Sequence, residues 1–341
     1  MNEVASETTR EPGLNTKITG PRFSDVSVQV FVMLGLLIVL VLGTWQFDEN
    51  FFSPITVKGL LRDSSILALF ALGQAIVIIS GGIDLSVGSF LCFSGVSTIM
   101  IMNSHDGIGF AGAAVIVIGM AIVIGLIHGL LVCLLDLQPF LVTLCSLLVF
   151  RGLSRALTGD SVQTFNPEKY PLIDYLGGGS AFGIPMPVYV LIAVLIPLSF
   201  FMYCTVPGRY LFAIGSNREA ARFSGVPVHR LRIVGFVISA VLASLAGFLE
   251  AGSVGSVTPS TAGIAYEMYG ITAAVLGGCA LRGGQGSLLG VVIGAAILRV
   301  LRTAVIFFDI STYWTFAVTG LVLLSAVVVD ALVRQRRGRT S

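Results

Sequence analysis

Long apolar runs separated by short polar segments recur along almost the whole chain. Runs with little or no charge fall at Val28–Trp45, Ser64–Gly82, Leu85–Ser104, Phe110–Leu135 and Leu137–Leu157, and again at Val188–Thr205, Ile233–Gly255, Ile264–Leu281, Gly286–Phe308 and Thr312–Leu332. A helix of about 20 apolar residues crosses a bilayer core, so the pattern predicts an all-α integral membrane protein with about ten transmembrane helices. The expected layout is an N-terminal tail over 1–27, a transmembrane domain over 28–333 and a basic tail over 334–341. Within the domain, two polar loops stand out, at about 158–187 and about 206–231. Gly and Pro are frequent in the runs, as where membrane helices pack closely or break.

Composition agrees with the pattern. Of the 341 residues, 55% are hydrophobic and only 11% are charged, with mean hydropathy +0.94. Soluble domains carry about 25% charged residues, so a chain this poor in charge has lipid as its solvent. The net charge of +2 is too small to imply a nucleic-acid partner. Cys92, Cys133, Cys145, Cys204 and Cys279 show no metal-ligand spacing or disulfide framework, and read as small packing residues in apolar surroundings. The polar N-terminal residues have no short apolar core and no small-residue cleavage site, and read as a cytoplasmic tail.

Orientation follows from Lys and Arg in the loops. Arg10, Lys17 and Arg22 precede the first run. Arg209, Arg218, Arg222, Arg230 and Arg232 cluster after the sixth, and Arg334, Arg336, Arg337 and Arg339 follow the last. An even number of spans separates each cluster from the next. All three therefore fall on one side, the cytoplasmic one, with both termini. The 158–187 loop, rich in Gly, Pro and Asp, is then periplasmic and reads as irregular or weakly helical.

The candidate chemistry lies in or beside the runs. Gly81-Gly82-Ile83-Asp84-Leu85 and Gly277-Gly278-Cys279-Ala280-Leu281 share a Gly-Gly-x-x-Leu pattern, and lead into Gly88-Ser89 and Gly286-Ser287. Two readings stand: an internal pseudo-repeat with Gly-broken spans around a central pathway, or glycines that serve close helix packing alone. Asp84 faces a pathway or partner within the membrane, or caps the next helix from a solvated cytoplasmic turn. The candidate pathway residues are Gln74, Asp84, Ser86, His128, Glu250, Glu267, Arg299, Arg302 and Thr303, polar groups in or at the edges of apolar runs. Asp84, Glu250 and Glu267 are expected to avoid lipid, the two glutamates pairing with Arg151, Arg299 or Arg302 or lining an outer vestibule. Arg299 and Arg302, three residues apart, share a helix face. They either pair or snorkel structurally, or meet an acidic, phosphorylated or hydroxyl-rich solute. No phosphate-binding loop, catalytic cluster, metal site or cofactor motif is present. His105, His128 and His229 are isolated, and His128 reads as a satisfied packing residue.

The run Gly81-Gly82-Ile83-Asp84-Leu85-Ser86-Val87-Gly88-Ser89 resembles the signature of the ABC importer permeases that serve ribose, xylose, arabinose, galactose and related solutes. Other motifs agree in order: Pro139-Phe140-Leu141-Val142-Thr143-Leu144, Arg151-Gly152-Leu153, Gly208-Arg209-Tyr210, the stretch Asn217 to Val226, Tyr266-Glu267, and Ala274 to Gly278. The resemblance spans nearly everything after residue 60. It implies a permease subunit in a bacterial inner membrane, not an enzyme by itself. It also implies a separate ATPase subunit, a periplasmic solute-binding protein and a second permease, a homodimer being favoured. The implied substrate is sugar-like. It further implies that Asn217, Arg218, Glu219, Ala220, Ala221, Arg222 and Gly225 form the loop that couples to the ATPase. Independently, Asn217 suits a helix N-cap with Glu219 in the first turn, and Gly225 and Pro227 suit its end; from these residues alone an ordinary solvated loop with topogenic arginines is the favoured reading, and the resemblance reverses it.

Four positions depart from the family pattern. Tyr269 stands where an Asp is usual, His128 where an Asn is common, and Arg299 and Arg302 where neutral groups are common. These put a neutral-sugar substrate in question and leave the transporter class intact. The alternative function is a secondary transporter or channel that works alone.

Overall fold

The computed structural model describes residues 23–104 and 107–309, with scattered positions from 311 to 328. Arg10, Lys17, Arg22, His105, most of the tenth run and the arginines of the C-terminal tail lie outside the described residues.

The described chain is helical almost throughout. α1 (Phe23–Phe47) is followed by α2 (Pro54–Ile79), α3 (Val87–Ser104), α4 (Phe110–Leu134) and α5 (Pro139–Thr158). The expected loop at 158–187 holds strand β1 (Gln163–Thr164), the short helix α6 (Pro171–Gly178), and strands β2 (Ser180–Ala181) and β3 (Ile184–Pro185). α7 (Met186–Ser199) loosens into a π-helical turn at Phe200–Cys204, three residues after Pro197 breaks the regular ladder. Then come α8 (Val206–Ser216), α9 (Arg218–Phe223), α10 (Val228–Val254), strand β4 (Ser256–Val257), α11 (Tyr266–Leu276) and α12 (Leu288–Phe307). β1 pairs antiparallel with β4, and β2 with β3.

Seven of these helices are long and apolar enough to cross a membrane: α2, α3, α4, α5, α7 with its π turn, α10 and α12. The run Ile264–Leu281 is not a continuous span, because α11 covers only 11 residues and a non-helical segment leads into it. α1 begins at Phe23, within the stretch expected as tail.

Burial separates the helices into an inner and an outer set. The most apolar window of α2 is 83% buried inside the protein, against 22% for α5 and 17% for α7. An inner helix needs apolar or small residues nearly all round, and α2 is buried without a break from Ser65 to Ile79, with Gln74 its one long polar side chain there. An outer helix leaves half its surface to lipid, where Leu and Ile are as well solvated as in the core. Small residues set the closest approaches. A Cβ on Gly125 of α4 would lie 2.5 Å from Val237 Cα, and one on Gly129 would lie 2.7 Å from Ile233 Cα, so α4 and α10 touch backbone to backbone. Gly73 brings α2 equally close to α10, with Ser239 Cα 2.9 Å from the position its Cβ would take.

Helix direction alternates through the bundle. The C-terminal ends of α2, α4 and α11 and the N-terminal ends of α3, α5, α10 and α12 gather at the end that carries α8 and α9. The opposite end carries α6 and the small strands.

Candidate functional site

The first Gly-Gly segment joins α2 to α3 by irregular backbone. Gly81 takes φ +82, which ends α2 in a conformation that only glycine adopts freely. The chain then stays non-helical to Ser86, inside the bundle. Such backbone is tolerated at membrane depth only where protein satisfies its polar groups, and here it does. Thr143 of α5 receives the Leu85 amide at 3.0 Å and donates to an α5 carbonyl, Pro139 O, at 2.9 Å. Gln74 of α2, with its amide turned to suit both partners, donates to Asp84 O at 2.8 Å and accepts from Asp84 N at 3.3 Å.

Asp84 is 2% exposed, so it is not the solvated cap of a cytoplasmic turn. Its Oδ1 accepts from the Ser86 amide at 2.9 Å and the Ser86 hydroxyl at 2.6 Å, and its Oδ2 accepts from Ser239 of α10 at 2.9 Å. No arginine pairs with it among the described residues. The carboxylate is held by neutral donors from its own turn and from α10, and so ties the break between α2 and α3 to the longest inner helix.

A second irregular segment follows α10. After β4 the chain from Thr258 to Ala265 descends non-helically until Gly263 meets the start of α3; a Cβ on Gly88 would lie 2.5 Å from Gly263 O. Arg151 of α5 anchors this segment, donating to Pro259 O at 3.1 Å and Ala262 O at 2.5 Å. Arg151 therefore serves backbone carbonyls rather than the glutamates expected to pair with it. Ala265, at φ +60, starts α11, and Glu267 sits in its first turn. The helix then reaches the second Gly-Gly pair, where Gly277 lies so close to α12 that its Cβ would be 2.4 Å from Val291 N.

The turns that end the two broken spans come together. The Gly284 amide donates to Ile79 O at 2.9 Å, joining the α11–α12 turn to the end of α2. Gly215 of α8 closes the junction: its Cβ would fall 1.9 Å from Ile79 O and 2.4 Å from Gly284 N. Both Gly-Gly segments stood out in the sequence; Gly215, part of the family-like motif Ala213-Ile214-Gly215, carried no role there, because nothing local records a close approach.

At the opposite end, α2, α10, α11 and α12 border a half-open cavity of 440 Å³. Arg62, Asp63, Glu250, Tyr266, Arg299, Arg302 and Thr303 line it. Arg299 is buried, and its Nε has no hydrogen-bond partner. Glu250 accepts from the Tyr266 hydroxyl at 2.9 Å, and Tyr266 in turn stacks on Phe70 at 5.4 Å between ring centroids. Neither Glu250 nor Glu267 forms an ion pair with an arginine among the described residues, so the expected direct pairs give way to a tyrosine-bridged arrangement. A smaller cavity of 230 Å³ adjoins on the other side of Glu250 and Tyr266, between α3, α10 and the descending segment. Arg62, Asp63 and Tyr266 were not among the sequence candidates. Arg62-Asp63 is nevertheless a charged pair written into the head of an apolar stretch, the kind of signal that finds such sites.

α9 stands apart from the bundle. Asn217 accepts from the Ala220 amide at 2.9 Å, Glu219 lies in the first turn, and Gly225 takes φ +78 just beyond the end. Arg218, Glu219, Ala220 and Arg222 are exposed, and Phe223 is 88% exposed. Only Ala221 is buried. Arg218 also bridges to Asp136 of the α4–α5 turn at 3.1 Å.

Two expectations need correction. His128 is not fully satisfied: its Nε2 meets Ser146 Oγ at 2.7 Å, but its buried Nδ1 has no partner. Cys145 and Cys204 are exposed on outer helices and pack no core, unlike Cys92, Cys133 and Cys279. Among the described residues, no cluster of His, Cys, Asp or Glu suited to a metal ion is found.

Comparison with known proteins places this fold. A family profile described as branched-chain amino acid transport system, permease component, matches residues 56–327. The chain is 36% identical to the ribose import permease protein RbsC of Escherichia coli K12, over 86% of this chain and 91% of that one. It is 33% identical to the ribose import permease of Bacillus subtilis 168, over 93% and 97%. It is 34% identical to the L-arabinose transport system permease protein AraH of E. coli K12, over 90% and 92%. With matches of this length on a bundle of membrane-crossing helices, the chain belongs to this family of transport-system permeases and is a multi-pass inner-membrane protein.

Proposed function

We propose that this chain is the membrane-spanning subunit of an ABC importer for a monosaccharide or sugar-like solute. The observation that carries the reading is near-full-length similarity to ribose and arabinose permeases. Two features of the chain support it. It holds no Gly-Lys-Ser/Thr loop able to cradle ATP, so ATP hydrolysis falls to a partner. It also presents α9, a capped and charged helix with an exposed phenylalanine, at the end expected to face the cytoplasm. A helix of this kind suits a cleft in a soluble ATPase. Asn217, Arg218, Glu219, Ala220, Ala221, Arg222 and Gly225 form that coupling element. The periplasmic solute-binding protein docks at the α6 end, two permease copies form the pathway, and both termini are cytoplasmic.

The test is uptake into proteoliposomes that hold the permease and its ATPase, with the binding protein outside. Radiolabelled ribose, xylose, arabinose and galactose serve as solutes. Uptake that requires both ATP and the binding protein is the expected result. Uptake driven by an ion gradient without the ATPase would establish the stand-alone transporter instead.

A further inference from the structure

The 440 Å³ cavity between α2, α10, α11 and α12 is lined by three arginines and two carboxylates. Arg62 pairs with Asp63 at 3.2 Å, and the Glu250 carboxylate takes the Tyr266 hydroxyl. Arg62, Arg299 and Arg302 thus face two carboxylates, Asp63 and Glu250. Arg299 keeps an unpartnered Nε although it is buried, and Arg302, one turn further along α12, has no ion-pair partner among the described residues. A buried guanidinium with an orphaned N–H is costly unless something else meets it. The volume falls within the about 300–1,000 Å³ of small-molecule sites. Guanidinium groups present paired donors that match carboxylate and phosphate oxygens, and Thr303, next to Arg302 on α12, adds a hydroxyl.

We infer that this cavity is a binding site for the anionic oxygen group of a polyhydroxylated solute, a carboxylate or a phosphate, with Arg299 and Arg302 as its ligands. The inference rests on the importer reading and narrows it: the transported solute is an acidic or phosphorylated sugar derivative rather than a neutral aldose. The cavity lies at the α6 end, where the binding protein releases its cargo, so the arginines meet the solute on entry. Asp63 and Glu250 keep the empty site near neutrality, which limits repulsion between the arginines and leaves about one positive charge for the incoming anion.

The experiment uses the reconstituted transporter with its ATPase and unaltered binding protein. Three solutes are compared: a neutral pentose, the corresponding sugar acid and the corresponding sugar phosphate. The variants are Arg302→Gln, Arg299→Gln and Arg299→Lys. Because the binding protein is constant, the ratio of variant to wild-type uptake for each solute isolates the permease. The expected result is that wild type takes up at least one anionic solute, and that Arg302→Gln lowers that uptake about tenfold while any neutral uptake stays within about twofold. Arg299→Lys should lose most of the anionic uptake as well, since it keeps the charge and loses the fork. Wild-type uptake confined to the neutral pentose would overturn the inference and leave the importer reading standing. No ATP-dependent uptake of any solute would remove both. If Arg299→Gln fails to fold, Arg302→Gln decides the matter alone, because its side chain is exposed to the cavity. Equal loss for all three solutes, or none, would assign the arginines a structural role. Phospholipid that co-purifies with wild type and is lost in Arg302→Gln, with uptake unchanged, would identify a lipid headgroup as the occupant and overturn the solute site.

Discussion

Asp84 shows how one side chain holds a broken span together. Its three hydrogen bonds come from neutral donors, two on its own turn and one from Ser239 across the bundle. Removing the carboxylate leaves the Ser86 amide and two hydroxyls without their acceptor, and each buried unsatisfied donor costs about 1–3 kcal/mol. Asp84→Ala is therefore expected to lose about 3 kcal/mol in denaturant unfolding in mild detergent. Asp84→Asn keeps the shape and one acceptor oxygen, and should lose less than half as much. Equal stability of Asp84→Ala and wild type would show that the turn holds without this staple. Arg151 does the matching task at the second break, where it donates to two carbonyls of the descending segment. The sequence marked Asp84 as a charge out of place, yet it left open whether water or protein surrounded it. Only Ser239, 155 residues away, decides that.

At the scale of elements, the cytoplasmic-loop helices and the two broken spans form one contact system. α8 reaches the ends of α2 and the α11–α12 turn through Gly215, and α9 follows directly after it. A displacement of α9 by a partner would therefore press on both broken spans through main chain alone. Gly215→Ala inserts a Cβ 1.9 Å from Ile79 O, so backbone must move. The expected outcome is a correctly inserted protein in which binding-protein-stimulated ATP hydrolysis no longer yields uptake. Unimpaired coupling in Gly215→Ala would exclude this junction as the link. Glu219→Lys reverses the charge in the first turn of α9, where a carboxylate favours the helix N-terminus. Weaker co-purification of the ATPase is expected, with solute preference unchanged; normal uptake by a stably expressed variant would argue against α9 as the docking element. The cap and the stop of α9 were readable from Asn217 and Gly225, because capping is local. The closeness of Gly215 to Gly284 was not, because it joins segments 69 residues apart in number.

For the whole molecule, the alternation of helix direction sets α8 and α9 at one end and α6 with its strands at the other. The arginine pattern supports the proposal that the first end faces the cytoplasm. In a cysteine-free background, Phe182→Cys in the β2–β3 turn should react with a membrane-impermeant thiol reagent added outside spheroplasts. Phe223→Cys should react only after the membrane is opened. The reverse pattern would invert the proposed topology. The lightly buried α4, α5 and α7 leave broad apolar faces to lipid or to a second permease. The mass of the detergent-solubilised assembly, with two copies of this chain and no other permease, is the expected stoichiometry; a second, different permease in the complex would rule out the homodimer.

The sequence alone determined the solvent of this protein, the number and rough limits of its apolar runs, the positions of its two Gly-Gly segments and the family it resembles. These follow from composition and from short-range rules, since a bilayer demands about 20 apolar residues per helix and glycine marks where a helix ends. It misread Ile264–Leu281 as a full span, because hydropathy registers apolar residues and not whether their backbone is helical. Tertiary structure alone decided that the chain ahead of α11, from Thr258 to Ala265, enters the bundle unwound and held by Arg151, and that only 11 residues of the run are helix. It also decided that Tyr266, not an arginine, meets Glu250, and that Arg62, Asp63, Arg299 and Arg302 share one cavity. The physical reason is the same in each case. Inside a membrane protein, a polar group's role is set by the partner that satisfies it, and that partner comes from another helix whose packing no local pattern records.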